Sequence, residues 1–224
     1  MMGMPYDAIE RNYVVHNAHR IGTEYYKAIY REYTDATFKH LKVRPANQRY
    51  LGLVGPVIHA EVGDTVKVVF RNNASHPFSI HPHGVLYLKS SEGSAYNDGT
   101  SGASKVAAAV PPHHTYVYTW QVPERSGPGP NDPSSIVWLY HSHTRDDKDV
   151  ESGLIGAIVV TRAGMARPDG TPNDVDREFV TVFQIVNESQ SWYFEQNVST
   201  FAPAVPKKLR LELMVFSTAA GRRW

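Results

Sequence analysis

Two short histidine motifs are the residues of this sequence best suited to chemistry. The first is His81-Pro82-His83-Gly84 and the second is His141-Ser142-His143. In an extended strand, residues two positions apart point to the same side, so the two imidazoles of each motif should share a face. We call the motifs the first and the second histidine fork. Together they could present four imidazoles to one site.

A metal ion is the ligand that such a set of imidazoles favours. The 224 residues include no cysteine, which excludes disulfides and thiolate ligands within them. Four imidazoles without a thiolate suit copper, zinc, iron or nickel, and copper has the highest intrinsic affinity. The alternative is that these are ordinary loop histidines bonded to the backbone, because one His-X-His triplet among 11 histidines can arise by chance.

A zinc hydrolase is a second interpretation of the forks. The His-X-His-X-Asp-His pattern of metallo-β-lactamase-like enzymes needs aspartate and histidine where this chain has Arg145 and Asp146. Sites like those of carbonic anhydrases or cupins use one His-X-His and a further ligand, so they leave the second fork unexplained. The identity of the bound metal would separate these interpretations.

Composition limits the partners of the chain. Lys and Arg number 23 against 22 Asp and Glu, so no charge excess drives binding to nucleic acid or anionic membranes. No apolar run approaches the roughly 20 residues needed to span a bilayer. The first residues also lack the basic and then apolar pattern of a signal peptide.

The elements that must position the forks are strands. The 31 Pro and Gly residues (16 Gly and 15 Pro) fall between short runs rich in β-branched and aromatic residues, which is typical of an all-β sandwich or barrel. The predicted strands are 66–71, 115–122, 136–140, 154–161 and 177–185. Residues 24–38 also fit a helical face, but their Tyr and Thr content favours a strand.

The predicted organisation has four parts. Residues 1–24 form an N-terminal segment without a regular pattern, and 25–162 form the main domain. The polar, turn-rich stretch 163–176 is a linker. Residues 177–224 are too few for a sandwich of the usual ~100 residues, so we expect an incomplete second unit.

The forks and their surroundings resemble the multicopper oxidases, in particular the ceruloplasmin-like and bacterial two-domain branch. The resemblance covers most of the chain from Tyr25 to about Val198 and follows the order and spacing of the amino-terminal cupredoxin domain. The matching motifs are Leu51-Gly52-Leu53-Val54-Gly55-Pro56-Val57-Ile58-His59-Ala60-Glu61-Val62-Gly63-Asp64, Ser79-Ile80-His81-Pro82-His83-Gly84, Trp138-Leu139-Tyr140-His141-Ser142-His143-Thr144 and Ser152-Gly153-Leu154-Ile155-Gly156.

This resemblance implies a cupredoxin-like Greek-key β-sandwich that holds half of a three-copper site. Members bind the cluster between two cupredoxin domains and reduce dioxygen to water there. By motif position His81 would ligate the type 2 copper, and His83, His141 and His143 would ligate the type 3 pair. The electron donor would be ferrous iron or a phenol, and the location would be secreted or periplasmic.

The chain departs from the family pattern in several respects. It has no cysteine for a type 1 copper, no third or fourth fork, and no sign of the first strand that relatives carry. We therefore expect a fragment that needs another cupredoxin domain to complete its site and lacks turnover alone. A homo-oligomer is a further expectation. The alternative is a non-catalytic interaction module, as in the A domains of large coagulation factors.

Acidic residues near the forks are candidates for supporting roles around the metal site, such as relaying protons. Asp98 matches the position where oxidases place an acid beside the cluster as a proton relay, although an Asn-Asp-Gly turn also explains it as a cap of its own backbone. Asp146, Asp147 and Asp149 are interpreted as a solvated loop. His113 and His114 are expected in a turn outside the site.

Overall fold

The computed structural model of the chain describes residues 7–9 and 11–207. Six strands were found, namely β1 (Ile58–Glu61), β2 (Thr65–Arg71), β3 (His81–Pro82), β4 (Thr115–Gln121), β5 (Ser135–His141) and β6 (Ile155–Thr161) among these residues. The helices are short: α1 (Arg11–Val14), α2 (Gly102–Ala108), α3 (Asp146–Asp149) and α4 (Phe194–Phe201). The described part of the chain contains no helix long and apolar enough to cross a bilayer.

The strands form two sheets. The larger has four strands in the order β1-β6-β5-β3, and β2 pairs with β4 in the smaller. β1 is parallel to β6, whereas β5 is antiparallel to both of its neighbours. The all-β, cupredoxin-like β-sandwich expected from the sequence is confirmed.

Four of the predicted strands are confirmed. In β2 the alternation places Val66, Val68 and Phe70 on the half-buried face, whereas the residues between them are exposed. Strand β6 is buried along almost its whole length, because it lies between β1 and β5 in the sheet. A continuous apolar run is what such a central position requires.

The core of the main unit consists of large side chains from both sheets. Its fully buried members include Tyr118, Trp120, Tyr140, Ile158 and Val160. The Tyr30 ring lies 5.2 Å from that of Tyr140 and 6.1 Å from that of Phe70, so it contacts both sheets. Tyr30 also donates a hydrogen bond to the Ser79 carbonyl, at 2.6 Å, close to the first fork.

Two strand predictions are wrong. Residues 24–38 contain no strand, only an isolated bridge between Tyr33 and Leu41, and of their aromatic side chains only Tyr30 is buried in the core. Residues 177–185 are also without strand pairing, and Phe183 and Ile185 are each 94% exposed. The β-branched pattern of that segment finds no neighbouring strand in the described part of the chain.

The chain separates into two compact units, Met1–Lys27 with Val186–Trp224, and Ala28–Ile185. In the first unit Phe194, Val198 and Ala202 form a buried cluster. There the Asn197 side chain accepts from the Tyr26 N–H and donates to the Tyr26 carbonyl. The sequence-based boundaries at 24, 162 and 176 differ from these divisions, and residues 208–224 of the expected second unit lie outside the described residues.

Replacing Tyr118 by phenylalanine tests how much one buried polar contact stabilises the main unit. The Tyr118 hydroxyl is fully buried and donates to the Ala107 carbonyl at 2.6 Å. Its loss leaves that carbonyl without its partner, so we expect the free energy of unfolding in urea to fall by about 1–2 kcal/mol. Tyr116→Phe is the matched control, because its bond to the Ser90 carbonyl is only part-buried. Equal effects of both variants would contradict the expectation.

Candidate metal centre

Strand pairing brings the two histidine forks together. β3 and β5 are antiparallel, with His81 directly opposite His141 and Pro82 opposite Tyr140. The His83 N–H continues the ladder by donating to the Leu139 carbonyl at 2.9 Å. Because directly opposed residues on a sheet share a face, this register places the first histidine of each fork on one face.

The four imidazoles form one cluster. Five ring-centroid distances among His81, His83, His141 and His143 lie between 5.1 and 5.6 Å. One nitrogen from each of His81, His83 and His141 lies within 4.8 Å of the others. No other group of three His, Asp or Glu residues brings its ligand atoms this close together in the described part of the chain. His143 joins through its ring contacts with His81 and His141. The sequence predicted this convergence of both forks, which the structure shows.

Hydrogen bonds at Nδ1 orient three of these rings. His81 Nδ1 lies 2.6 Å from the Glu92 carbonyl, and His141 Nδ1 lies 3.1 Å from the Ser142 carbonyl, with an Asp146 carboxylate oxygen 3.0 Å away. His143 Nδ1 lies 2.9 Å from the Ser94 hydroxyl. A carbonyl or carboxylate only accepts, so it favours the proton on Nδ1 and leaves Nε2 with a lone pair. This is how outer-shell groups usually prepare a histidine for a metal.

The surroundings keep three of the four imidazoles neutral. Burial lowers the pKa of His81 to about 4, and the neighbouring imidazoles act in the same direction, whereas the hydrogen bond that the ring donates to the Glu92 carbonyl raises the pKa. Burial also lowers the pKa of His83 and His141, and Asp146 only partly offsets this for His141. Because their pKa values are lowered, these three imidazoles are neutral near pH 7. Neutral imidazole is the form that binds a metal ion.

The nitrogen positions fit a metal ion. His83 Nε2 and His141 Nε2 lie 3.1 Å apart. Two nitrogens that share one metal at about 2.0–2.1 Å are about 3 Å apart when the bonds meet near a right angle. With the His141 proton held on Nδ1, its Nε2 lone pair accepts a hydrogen bond from His83 Nε2, and a metal ion would take the place of the proton between them. The donor set is nitrogen alone, which suits copper.

Asp98 lies in the loop beside the cluster. Its carboxylate accepts from the Thr100 N–H at 2.9 Å and from the Thr100 hydroxyl, and it pairs with Lys89 at 3.1 Å. The Thr100 hydroxyl and N–H, followed by Lys89, hold the pKa of this exposed carboxyl at about 2. These contacts match the backbone-capping alternative, and the proton-relay role stays a prediction.

The interpretation of the acidic residues after the second fork is partly wrong. Asp146 and Asp147 are both exposed, as the sequence suggested, with Asp147 paired with Arg145 and an Asp146 oxygen 3.0 Å from His141 Nδ1. Asp149, in contrast, is fully buried. The second fork is followed by a helical turn, α3. The three-residue spacing of Asp146 and Asp149, which is typical of neighbours on a helix, was the feature of the sequence that could have indicated this turn.

The loop between β3 and α2 also borders a cleft of about 290 Å³. Its lining includes Ser94, Tyr96, Thr100 and Lys105. Ser94 contacts His143 directly, and the Tyr96 ring lies 6.0 Å from that imidazole. The cleft gives room for a small molecule next to the second fork.

The fold and the cluster define the chain as an all-β protein with four imidazoles gathered where two antiparallel strands meet. It belongs to the multicopper oxidase family, whose model matches residues 29–164. It is 45% identical over 196 residues to human ferroxidase HEPHL1, and 44% identical over 175 residues to coagulation factor V of Pseudonaja textilis. These matches cover 87% and 78% of this chain but only 17% and 12% of the relatives.

A comparison with solved structures found the multicopper oxidase mgLAC at 27% identity and a TM-score of 0.38. That match covers 49% of this chain and 30% of the other.

Proposed function

We propose that His81, His83, His141 and His143 bind copper as one half of the oxygen-reducing site of a multicopper oxidase. The observation that carries this proposal is the convergence of the four rings, with Nδ1 tied in His81, His141 and His143. Family membership supports copper as the metal. By motif position His81 serves a type 2 copper, and the other three histidines serve a type 3 pair.

The residues of this chain prepare the site in three ways. Copper, when bound, supplies the redox chemistry that passes electrons to dioxygen. Neutral imidazoles contribute nitrogen lone pairs without adding negative charge, and burial favours this neutral form in His81, His83 and His141. The Glu92 carbonyl and the Asp146 carboxylate fix the directions of the His81 and His141 rings. Asp98 is proposed as a proton-relay group once the complete site is assembled.

In the complete enzyme, a reducing substrate would donate the electrons. The relative HEPHL1 is named as a ferroxidase, which favours ferrous iron over phenols as that substrate. The 224 residues of this sequence contain no cysteine to hold a type 1 copper, so electrons would enter through a type 1 copper in another domain. A second cupredoxin domain would supply the other half of the cluster, and dioxygen is the acceptor.

The proposal also covers the organisation and location of the protein. Residues 25–162 are proposed as the cupredoxin domain with the half-site, 163–176 as a linker, and 177–224 as the opening of a second cupredoxin-like domain. The location is proposed as extracytoplasmic, by analogy with the family. Assembly into a homo-oligomer is part of the same proposal.

A non-catalytic interaction module is the second candidate function. Its support is the 44% identity to a coagulation factor V, a protein named for clotting rather than for oxidation. In that case the cluster would bind metal weakly or only for structure. The retention of both forks favours the first candidate.

Copper retention by the purified chain tests the proposal. The chain is loaded with Cu(II) or with Zn(II), dialysed against a mild chelator and analysed for bound metal and for nitrogen couplings in the Cu(II) electron paramagnetic resonance spectrum. We expect stoichiometric copper with several imidazole nitrogens and weaker retention of zinc, as the intrinsic order of affinities requires. A folded chain that loses all copper would contradict the half-site, and preferential zinc retention would favour the hydrolase interpretation.

A further inference from the structure

A fully buried carboxylate lies behind the second fork. Asp149 has no exposed surface, and one of its oxygens accepts two hydrogen bonds. The donors are the Ser142 hydroxyl at 2.6 Å and the Arg145 N–H at 3.0 Å. Ser142 stands between the two histidines of the fork, so this carboxylate contacts the backbone turn that carries them.

A second hydrogen bond joins Ser142 to Ser79, which lies just before the first fork. The Ser142 proton is directed to Asp149, so its oxygen lone pairs are free to accept, and the Ser79 N–H donates to that oxygen at 3.0 Å. The Ser79 hydroxyl in turn donates to the Gly93 carbonyl at 2.6 Å and accepts from the His143 N–H at 3.0 Å. Both serines have no exposed surface.

This series of contacts touches both forks and the loop beside them. Ser79 lies two residues before His81, and its hydroxyl bonds the backbone of His143. Gly93 follows Glu92, whose carbonyl orients the His81 ring. The Ser142 hydroxyl donates to Asp149 and accepts from the Ser79 N–H, and the Ser79 hydroxyl donates to the Gly93 carbonyl and accepts from the His143 N–H. The two buried serines therefore tie together the backbones on either side of the site, and Asp149 supplies the acceptor for the Ser142 proton.

We propose that Asp149 is a positioning residue that, through Ser142 and Ser79, holds the two histidine forks in register for metal binding. This inference rests on the proposed copper site. The register in which β3 pairs with β5 is what brings His83 Nε2 within 3.1 Å of His141 Nε2. Asp149 accepts both hydrogen bonds in a buried setting, where no water can replace it as the acceptor. Without the Asp149 carboxylate, the Ser142 hydroxyl can rotate away from its present position. The hydrogen bonds that hold the Ser79 and His143 N–H groups should then weaken.

Amide hydrogen exchange in the metal-free chain tests the network without copper. Asp149→Asn and Ser142→Ala are each compared with the wild type, and the exchange of the Ser79 and His143 N–H groups is measured relative to that of Val159 on the central strand β6. We expect exchange at both positions to become at least about tenfold faster while Val159 changes little, because local opening is separable from global unfolding. Asp147→Asn, in the same turn but exposed, is the matched control and should leave both amides unchanged.

Cu(II) binding tests the consequence for the site. We expect each variant to lower Cu(II) affinity by about 10–100-fold, the usual cost of an outer-shell partner, with fewer nitrogen couplings in the electron paramagnetic resonance spectrum. The double variant should lose no more than the larger single loss, because both residues act through one series of contacts. A merely structural role would lower thermal stability without altering the spectrum of the copper-loaded chain.

The outcomes separate the two proposals. Folded variants with wild-type amide exchange and wild-type Cu(II) affinity would overturn the positioning role while leaving the copper site intact. A wild-type chain that binds no Cu(II) would overturn the copper site. In that case, faster exchange at Ser79 and His143 would still show that Asp149 holds the forks, and unchanged exchange would overturn this as well.

Discussion

Replacing His81 and His143 together by alanine is expected to abolish copper retention. These residues come from different forks, and their rings lie 5.1 Å apart in the cluster. The double change removes two nitrogen donors and leaves His83 and His141, which hold a copper ion far more weakly than four imidazoles. The loss should exceed the roughly 100-fold that follows removal of an outer-shell partner. The measurement is bound copper per chain after dialysis against a mild chelator.

A matched pair of histidines controls for a general loss of imidazoles. His113 and His114 are exposed in a turn before β4, and His114 Nδ1 contacts the Pro112 carbonyl. Their double replacement by alanine should leave copper retention unchanged. Because His81 is buried, a His81→Gln and His143→Gln variant keeps more of the side-chain volume, and its thermal unfolding tests whether the fold persists. Copper retained by a folded double variant would rule out the proposed ligand set.

Gly84→Ala is expected to damage both stability and the site. Gly84 follows His83 directly and has a φ of 75°, in the left-handed region where a Cβ costs about 1–2 kcal/mol. An added Cβ would also fall inside van der Waals contact of the Trp138 ring. That ring is fixed by a 2.8 Å hydrogen bond from Nε1 to the Ser126 carbonyl. With about 1–3 kcal/mol for overpacking, the free energy of unfolding should fall by about 3 kcal/mol in total.

Gly99→Ala separates the two causes. Gly99 has nearly the same φ, 74°, but a Cβ there would meet nothing within 4 Å. Chemical denaturation should therefore show a loss of only about 1 kcal/mol, from backbone strain alone. Gly84→Ala should also weaken Cu(II) binding, because displacement of its backbone moves His83. If the two alanine variants were equally destabilised, contact with Trp138 could not be the main cause.

The strands were the part of the fold that the sequence predicted well. β2, β4, β5 and β6 follow from local alternation and from runs of β-branched and aromatic residues, which depend on short-range geometry. The segments 24–38 and 177–185 have similar composition but no strand pairing. A strand needs a neighbour with free backbone groups, and composition does not say whether one is present.

The sequence by itself determined which donor atoms this protein offers to a ligand, and the tertiary structure decided how those atoms are arranged. The forks, the absence of cysteine and the strand runs were sufficient to indicate a nitrogen-only metal site on a β-sandwich, because residue type sets the donor atoms and spacing sets the face. Only the folded chain showed that His81 lies opposite His141 and that Asp149 is buried behind Ser142. Those relations join residues far apart in the chain, and they depend on sheet register and burial, which no local pattern encodes.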